Sequence, residues 1–199
     1  MKSDETGAIL QPAQERYLDR LLPPREPLLA EMEKTAREDD VPISDPEVGK
    51  MLGILAGATM TLDELEKAIL EVKDRTDAPF GVNLRADAGD APERVRLLIR
   101  HGVKVASFAL APKKELVAEL KDHGVVVMPS VGAARHAEKV AAWGADAVMI
   151  QGGEGGGHTG PVPTTLLLPT VLDAVDIPVV AAGGFFDGHG LAAALSYGA

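Results

Sequence analysis

The chain has 199 residues, with 20 Lys and Arg against 30 Asp and Glu, and a formal net charge of −10. This length allows one ordinary domain with a packed core, and the acidic balance argues against nucleic-acid binding because no basic stripe is present. The absence of cysteine excludes a disulfide scaffold, a thiolate zinc site and a cysteine nucleophile. Because no apolar run approaches a membrane span and the N-terminus lacks a signal-peptide core, the sequence predicts a cytoplasmic protein that does not bind membranes.

The N-terminal segment differs from the rest of the chain, since it holds only two of the 21 glycines. Proline-bounded patterns predict helices over 11–22 and 26–39 and a third from about residue 45. Residues 1–52 are therefore predicted to be a helical segment, followed by a second unit over 53–199. The spacing of Val48, Met51, Leu52 and Leu55 favours helix rather than strand across 53–58.

The pattern changes to alternation of strands and helices after a predicted helix over 62–73 with Thr61 as its N-cap. Short β-rich runs predict five strands at 80–84, 104–108, 125–128, 147–150 and 179–182, with helices at 91–100, 113–122, 133–143, 165–175 and 190–197. Gly102, Gly124 and Gly144 follow helix ends and indicate left-handed C-caps. Successive units of this kind predict a parallel sheet covered by helices. A full (β/α)8 barrel needs roughly 250 residues, so the sequence predicts an incomplete (β/α)8, TIM-barrel-like sheet.

A glycine-rich run at 151–160 follows one of these strands, with six glycines in ten residues. Glycine weakens regular structure but allows a backbone to approach a ligand closely. The run contains the pattern G-x-G-x-x-G, but Pro161 and Pro163 predict extended chain where a dinucleotide-binding motif would begin a helix. We therefore interpret the run as a ligand-binding loop and not as a dinucleotide fingerprint.

A second glycine pair, Gly183 and Gly184, follows the strand at 179–182 and precedes a helix, which Asp187 or Gly188 introduces. No Lys or Arg occurs after Lys139. An anion bound in this region must therefore be held by backbone N–H groups and helix N-termini.

Residues from about 53 to 199 resemble the nitronate monooxygenase family, whose members are FMN-dependent (β/α)8 barrels. The resemblance rests on residues 79–84 (PFGVNL), on the run at 151–160 and on residues 181–185 (AAGGF). It implies that His158 is the active-site histidine, which removes a proton next to a nitro group or polarises a carbonyl. It also implies FMN contacts from Asn83, Gln151, Gly156, Gly157, Gly183 and Gly184.

The resemblance implies an FMN-dependent oxidoreductase that oxidises alkyl nitronates or nitroalkanes. Two alternatives stay open: a flavin-dependent enoyl-thioester (acyl-CoA) reductase, and a truncated chimeric product without activity. The partner is a small molecule, a homo-oligomer is possible, and no metal site is expected because no histidine pair has helical ligand spacing.

Residues 1–52 resemble the N-terminal helices of caffeoyl-CoA-type O-methyltransferases, especially at 43–49 (ISDPEVG). The two resemblances meet at residues 53–59. The barrel family's first strand and its eighth strand have no counterpart in this sequence. These features predict a chimeric chain that carries part of a flavin-binding barrel and binds FMN poorly.

Overall fold

The computed structural model describes residues 53–156 and 160–199. The helices expected within residues 1–52 lie outside the described residues, and so do Gly157 and His158 of the predicted site. The helical N-terminal segment and its methyltransferase resemblance therefore stay predictions.

Strands and helices alternate through the whole described part. The strands are β1 (Ile54–Ala56), β2 (Gly81–Arg85), β3 (Val105–Ala109), β4 (Val126–Val131), β5 (Val148–Gln151) and β6 (Val179–Ala182). The helices are α1 (Leu62–Arg75), α2 (Ala91–Arg100), α3 (Lys114–Asp122), α4 (Ala134–Ala142), α5 (Thr164–Leu172) and α6 (Gly188–Tyr197).

The six strands form one parallel sheet in the order β1-β2-β3-β4-β5-β6. The predicted parallel sheet with helical connections is thus confirmed, and the strands follow chain order as short right-handed crossovers favour. Within the described residues β1 and β6 are the two edges of the sheet, so the barrel is not closed. All six strand C-termini lie along one edge, where ligands bind in parallel sheets of this class.

The prediction of helix across 53–58 is wrong, and the sheet has six strands rather than five. Residues Ile54 to Ala56 pair with β2 from Gly81 to Asn83, and the Gly81 N–H donates to the carbonyl of Gly53 at 2.8 Å. Leu55 packs against the buried core from this strand. Pairing with a neighbour that lies 27 positions away in sequence overrides the local helical spacing.

The two faces of the sheet carry different residues because side chains alternate along each strand. One face packs on the helices through fully buried residues such as Val82, Leu84 and Phe108. Strand register places the intervening residues on the opposite face, which holds Asn83, Ser107, Met128, Ser130, Met149, Gln151 and Ala182. The sheet thus puts Asn83 and Gln151 on the same face, away from the helices.

The four predicted helix caps are confirmed, whereas the helix predicted at 165–175 ends at Leu172 and the one predicted at 190–197 begins at Gly188. Gly102, Gly124 and Gly144 have φ of 68°, 69° and 98°, the left-handed conformation expected past a helix end. Thr61 caps α1 in a capping box: its hydroxyl accepts from the Glu64 N–H at 3.3 Å, and its own N–H donates to the Glu64 carboxylate at 2.7 Å.

Candidate active site

The loops that follow β5 and β6 contact each other at the C-terminal edge of the sheet. The Gly152 N–H donates to the Ala182 carbonyl at 3.3 Å and extends the pairing of the two strands by one residue. A Cβ added to Gly183 would lie 2.9 Å from the Gly155 nitrogen, so the two backbones are in direct contact. The two glycine segments identified in the sequence thus form one structure.

Thr164, the first residue of α5, connects these two loops. Its side chain is buried, with 3% of the residue exposed. Its hydroxyl lies 2.8 Å from the Gly183 carbonyl oxygen and 3.0 Å from a carboxylate oxygen of Glu154, and its backbone N–H donates to the same oxygen at 2.9 Å. One residue therefore holds a side chain from the β5 loop and a carbonyl from the β6 loop. The sequence analysis did not identify Thr164.

Glu154 closes the N-terminus of α5, whose N-cap residue Pro163 makes no side-chain cap. The hydrogen bond from the Thr164 backbone holds the pKa of Glu154 below its ordinary value, and the hydrogen bond from the Thr164 hydroxyl lowers this pKa further. Glu154 is thus an ionised carboxylate that accepts two hydrogen bonds from Thr164. The Glu154 carboxylate thus attaches the loop after β5 to the first residue of α5.

The glycines of the site fall into two groups according to the space around them. A Cβ on Gly152 would lie 2.0 Å from the Thr164 Oγ1 and 2.5 Å from its nitrogen, so Gly152 is needed for protein packing. Gly183 belongs to the same group. By contrast, a Cβ on Gly156 would meet no described residue within 4 Å, and one on Gly184 would make only ordinary contacts with Glu154. Gly156 and Gly184 are therefore the glycines with room for a ligand.

The β6 loop offers backbone N–H groups in a segment without cationic side chains. Gly183 and Gly184 have φ of 88° and 79°. No other described residue accepts a hydrogen bond from either N–H group. The helix α6 begins immediately afterwards, and the Asp187 carboxylate accepts from the backbone of His189 and Gly190 at its start. The N–H groups of Gly183 and Gly184 are therefore the donors available to an anion such as a phosphate, as the sequence predicts.

Gln151 and Asn83 occupy different environments on the shared sheet face. The Gln151 side-chain amide donates to the Gly156 carbonyl, so it stabilises the glycine loop that follows β5. The Asn83 amide donates to the Ser107 hydroxyl at 3.1 Å, and Ser107 is 2% exposed. The structure thus brings together Gln151, Gly156 and Gly183. Asn83 lies on the same face of the sheet but forms its hydrogen bond with Ser107.

Arg94 is a second residue that the sequence analysis missed, although it occupies a buried position of α2 between Ala91 and Leu97. Its guanidinium donates to the Gly57 carbonyl at 3.1 Å, to the Met60 carbonyl at 2.6 Å and to the Asp90 carboxylate at 2.8 Å. The hydrogen bond from Arg94 lowers the pKa of Asp90. Arg94 therefore fixes the loop after β1 at the C-terminal edge. The sequence signal that could have identified Arg94 is a charged residue at an apolar position of the helix pattern.

The expectation that the chain has no metal site stays a prediction, because residues 1–52 and 157–159 lie outside the described part. Within residues 53–156 and 160–199 no group of three His, Asp or Glu side chains could hold a metal ion. The same residues contain no helix that is long and apolar enough to cross a membrane.

The chain is similar over three quarters of its length to proteins of known family. A sequence profile of nitronate monooxygenase matches residues 48–97 and 91–199. A (3aS,4S,5R,7aS)-5-hydroxy-7a-methyl-1-oxo-octahydro-1H-indene-4-carboxyl-CoA dehydrogenase of Rhodococcus jostii is 76% identical over 148 residues, which cover 74% of this chain and 42% of that protein. A probable nitronate monooxygenase of Bacillus subtilis is 30% identical and covers 74% of this chain and 55% of its own length.

Solved structures give the same result. FabK from Thermotoga maritima superimposes with a TM-score of 0.71 at 42% identity, over 74% of this chain and 48% of that chain. A nitroalkane oxidase from Streptomyces ansochromogenes gives 0.67 at 32% identity, over 74% of this chain and 55% of that chain. The chain spans about half the length of the curated relatives it matches. The profile match, the relatives and the open parallel sheet with its paired glycine loops agree: this chain belongs to the nitronate monooxygenase family of oxidoreductases.

Proposed function

We propose that this chain is the flavin-binding core of an FMN-dependent oxidoreductase whose substrate is a coenzyme A thioester. The observation that carries the FMN assignment is the pair of glycine loops, which Thr164 holds together at the C-terminal edge of the sheet. This arrangement offers backbone donors and open space in the region where no Lys or Arg is available.

The residues present fit the two ends of FMN. The N–H groups of Gly183 and Gly184 suit the phosphate, because amide donors bind phosphate without a cationic side chain. Gln151 and Gly156 provide an amide group and an open backbone surface for the isoalloxazine ring, and Asn83 adds a polar group on the same sheet face. The contact of Gly157 with the ring is a proposal from the family resemblance.

The substrate proposal rests on the difference in identity between two groups of relatives. The proteins named as carboxyl-CoA dehydrogenases are 76% and 74% identical to this chain, whereas those named as nitronate monooxygenases are about 30% identical. A chain that shares three residues in four with a relative over 148 residues is expected to share the chemical class of its substrate. We therefore favour an acyl-CoA thioester over a nitronate as the substrate. The names of these relatives favour oxidation of the thioester, whereas the alternative from the sequence was an enoyl-thioester reductase.

The reaction removes two electrons and two protons from the thioester substrate, and FMN when bound supplies the two-electron acceptor. We assign proton transfer at the substrate to His158, from the family resemblance. Its unperturbed pKa near 6.5 leaves a neutral imidazole nitrogen at physiological pH that can accept a proton or hydrogen-bond a carbonyl. Gln151 and Thr164 have a structural role, because their hydrogen bonds hold the loop that leads to His158.

The proposal is tested with the 199-residue chain itself. Because weak binding is predicted, the chain is dialysed to equilibrium against FMN at concentrations up to millimolar, and bound flavin is measured by its visible absorbance. Under anaerobic conditions, a hydroxylated cyclic carboxyl-CoA thioester should then bleach that absorbance, and propyl-2-nitronate should do so more slowly. A chain that binds no flavin even at millimolar FMN contradicts the FMN assignment, and bleaching by the nitronate alone contradicts the substrate assignment.

Nitronate oxidation is the second candidate, favoured by the family profile and the nitroalkane oxidase superposition. In that reaction His158 removes the proton next to the nitro group, so His158→Asn should lower turnover of a neutral nitroalkane by about 10²–10⁴-fold. Preformed nitronate needs no base and should be affected much less. Equal losses with both substrates, with flavin still bound, would exclude the role of His158 as a base.

A further inference from the structure

The helices of the described part begin in two different ways at the C-terminal edge of the sheet. Acceptor side chains of Thr61, Glu154 and Asp187 close the first turns of α1, α5 and α6. By contrast, α3 and α4 begin after Lys113 and Ala133, and neither helix has a side-chain cap. The helix α2 also begins without a side-chain cap, but its N-cap residue is the acidic Asp90, whereas α3 and α4 begin after a lysine and an alanine.

These two loops carry basic side chains instead. We call residues 110–114 and 132–136 the basic loops; Lys113, Lys114 and Arg135 are exposed in them, and His136 is half-buried. None of the first three residues makes an ion pair with another described residue. This sets Arg135 apart from the other five described arginines, which each make one, but not the two lysines, since Lys121 is the one described lysine with an ion pair. Glu115 is the acidic residue in the first turn of α3, and the first turn of α4 has none.

The basic loops lie next to each other because their strands are neighbours in the sheet. Val105 pairs with Val126 and Phe108 with Pro129, so β3 and β4 end at nearly the same level. Leu110 follows β3 directly, with φ of 71° and 41% of its surface exposed. The basic loops therefore combine exposed cations with an apolar side chain at the same edge as the glycine loops.

We propose that the basic loops bind the 3′-phosphate and the diphosphate of coenzyme A. This inference rests on the proposed function, because it identifies the part of the site that would hold a CoA thioester. An arginine fork binds phosphate oxygens in pairs, and lysines add point charges that the neighbouring loop can share. Other cations without an ion pair, such as Lys67 and Lys104, lie on separate elements, whereas the basic loops place three on neighbouring loops of a chain with a net charge of −10. Such a local group of cations suits a polyanionic ligand.

The test measures CoA binding to this chain without flavin or turnover. Isothermal titration compares CoA with 3′-dephospho-CoA for the wild type, for Arg135→Glu and for Lys113→Glu/Lys114→Glu. Because a glutamate in a first helical turn suits the helix dipole, these variants are expected to fold, and circular dichroism checks this. The control is Lys67→Glu/Lys104→Glu, which makes the same change in charge in α1 and at the opposite end of β3.

We expect CoA affinity to fall about tenfold for Arg135→Glu and about a hundredfold for the lysine pair, with little change in the control; tenfold corresponds to about 1.4 kcal/mol. For the wild type, dephospho-CoA should bind more weakly than CoA. For the two variants in the basic loops, the two ligands should bind with similar affinity. Equal binding of the two ligands, equal losses in the control, or no CoA binding at millimolar concentration would overturn the inference. If CoA binding follows this pattern but no thioester bleaches the flavin, the proposed function fails and the binding site stands.

Discussion

Replacing Thr164 by valine tests whether this residue holds the two glycine loops together. Valine keeps the shape of the side chain but removes a hydroxyl that is 2.8 Å from the Gly183 carbonyl and 3.0 Å from the Glu154 carboxylate. The hydroxyl has a single hydrogen to share between these two acceptors, so its removal costs one hydrogen bond, which contributes about 1.5–3 kcal/mol when the acceptor is charged. We therefore expect Thr164→Val to lower the free energy of unfolding by about 2 kcal/mol.

The measurement is urea unfolding followed by circular dichroism, with the midpoint compared at an unchanged m-value. Thr165→Val is the matched control, because Thr165 is the next residue of α5 and is exposed; its change should stay within about 0.5 kcal/mol. A double-mutant cycle with Glu154→Gln should show coupling of at least about 0.5 kcal/mol. No coupling, or equal effects of the two valine substitutions, would refute the role of Thr164 as the connection between the loops.

The same variants give a pH dependence with a defined sign. The pKa of Glu154 is lowered in the folded chain by hydrogen bonds from Thr164, so the folded state favours the ionised carboxylate. Its contribution is complete above the ordinary glutamate pKa of about 4.3 and is lost as the pH falls through the lower folded value. The stability difference between wild type and Glu154→Gln should therefore shrink in acid, and a difference that grows there contradicts the assignment.

Two further substitutions test contacts at the same edge. Gly152→Ala should destabilise the chain by about 3 kcal/mol or prevent folding, because its Cβ would meet the α5 backbone, whereas Gly156→Ala should leave unfolding by urea unchanged and weaken FMN binding. Arg94→Met should cost about 3 kcal/mol in thermal unfolding, because the Gly57 and Met60 carbonyls lose their donor. The exposed Arg96→Met is the control, and a similar shift in its unfolding temperature contradicts this account.

The sequence by itself determined the order of the elements from β2 onwards. Alternating hydrophobic patterns and the glycines at 102, 124 and 144 depend on neighbours a few residues away, so they could be interpreted without a structure. Short connections then restrict the strands to a parallel sheet in chain order. The same local patterns located both glycine loops and the absence of cations around them.

Only the tertiary structure decided which state residues 53–58 adopt and which glycines have room for a ligand. The strand β1 forms because β2 offers it backbone partners, and no local pattern contains that information. Gly152 and Gly156 look alike in sequence, but Thr164 fills the space beside the first, and no residue of the described part of the chain fills the space beside the second. Arg94 likewise reaches carbonyls 34 and 37 positions away. Contacts between residues distant in the chain exist only after folding brings their elements together, and these contacts fix the geometry of the candidate site.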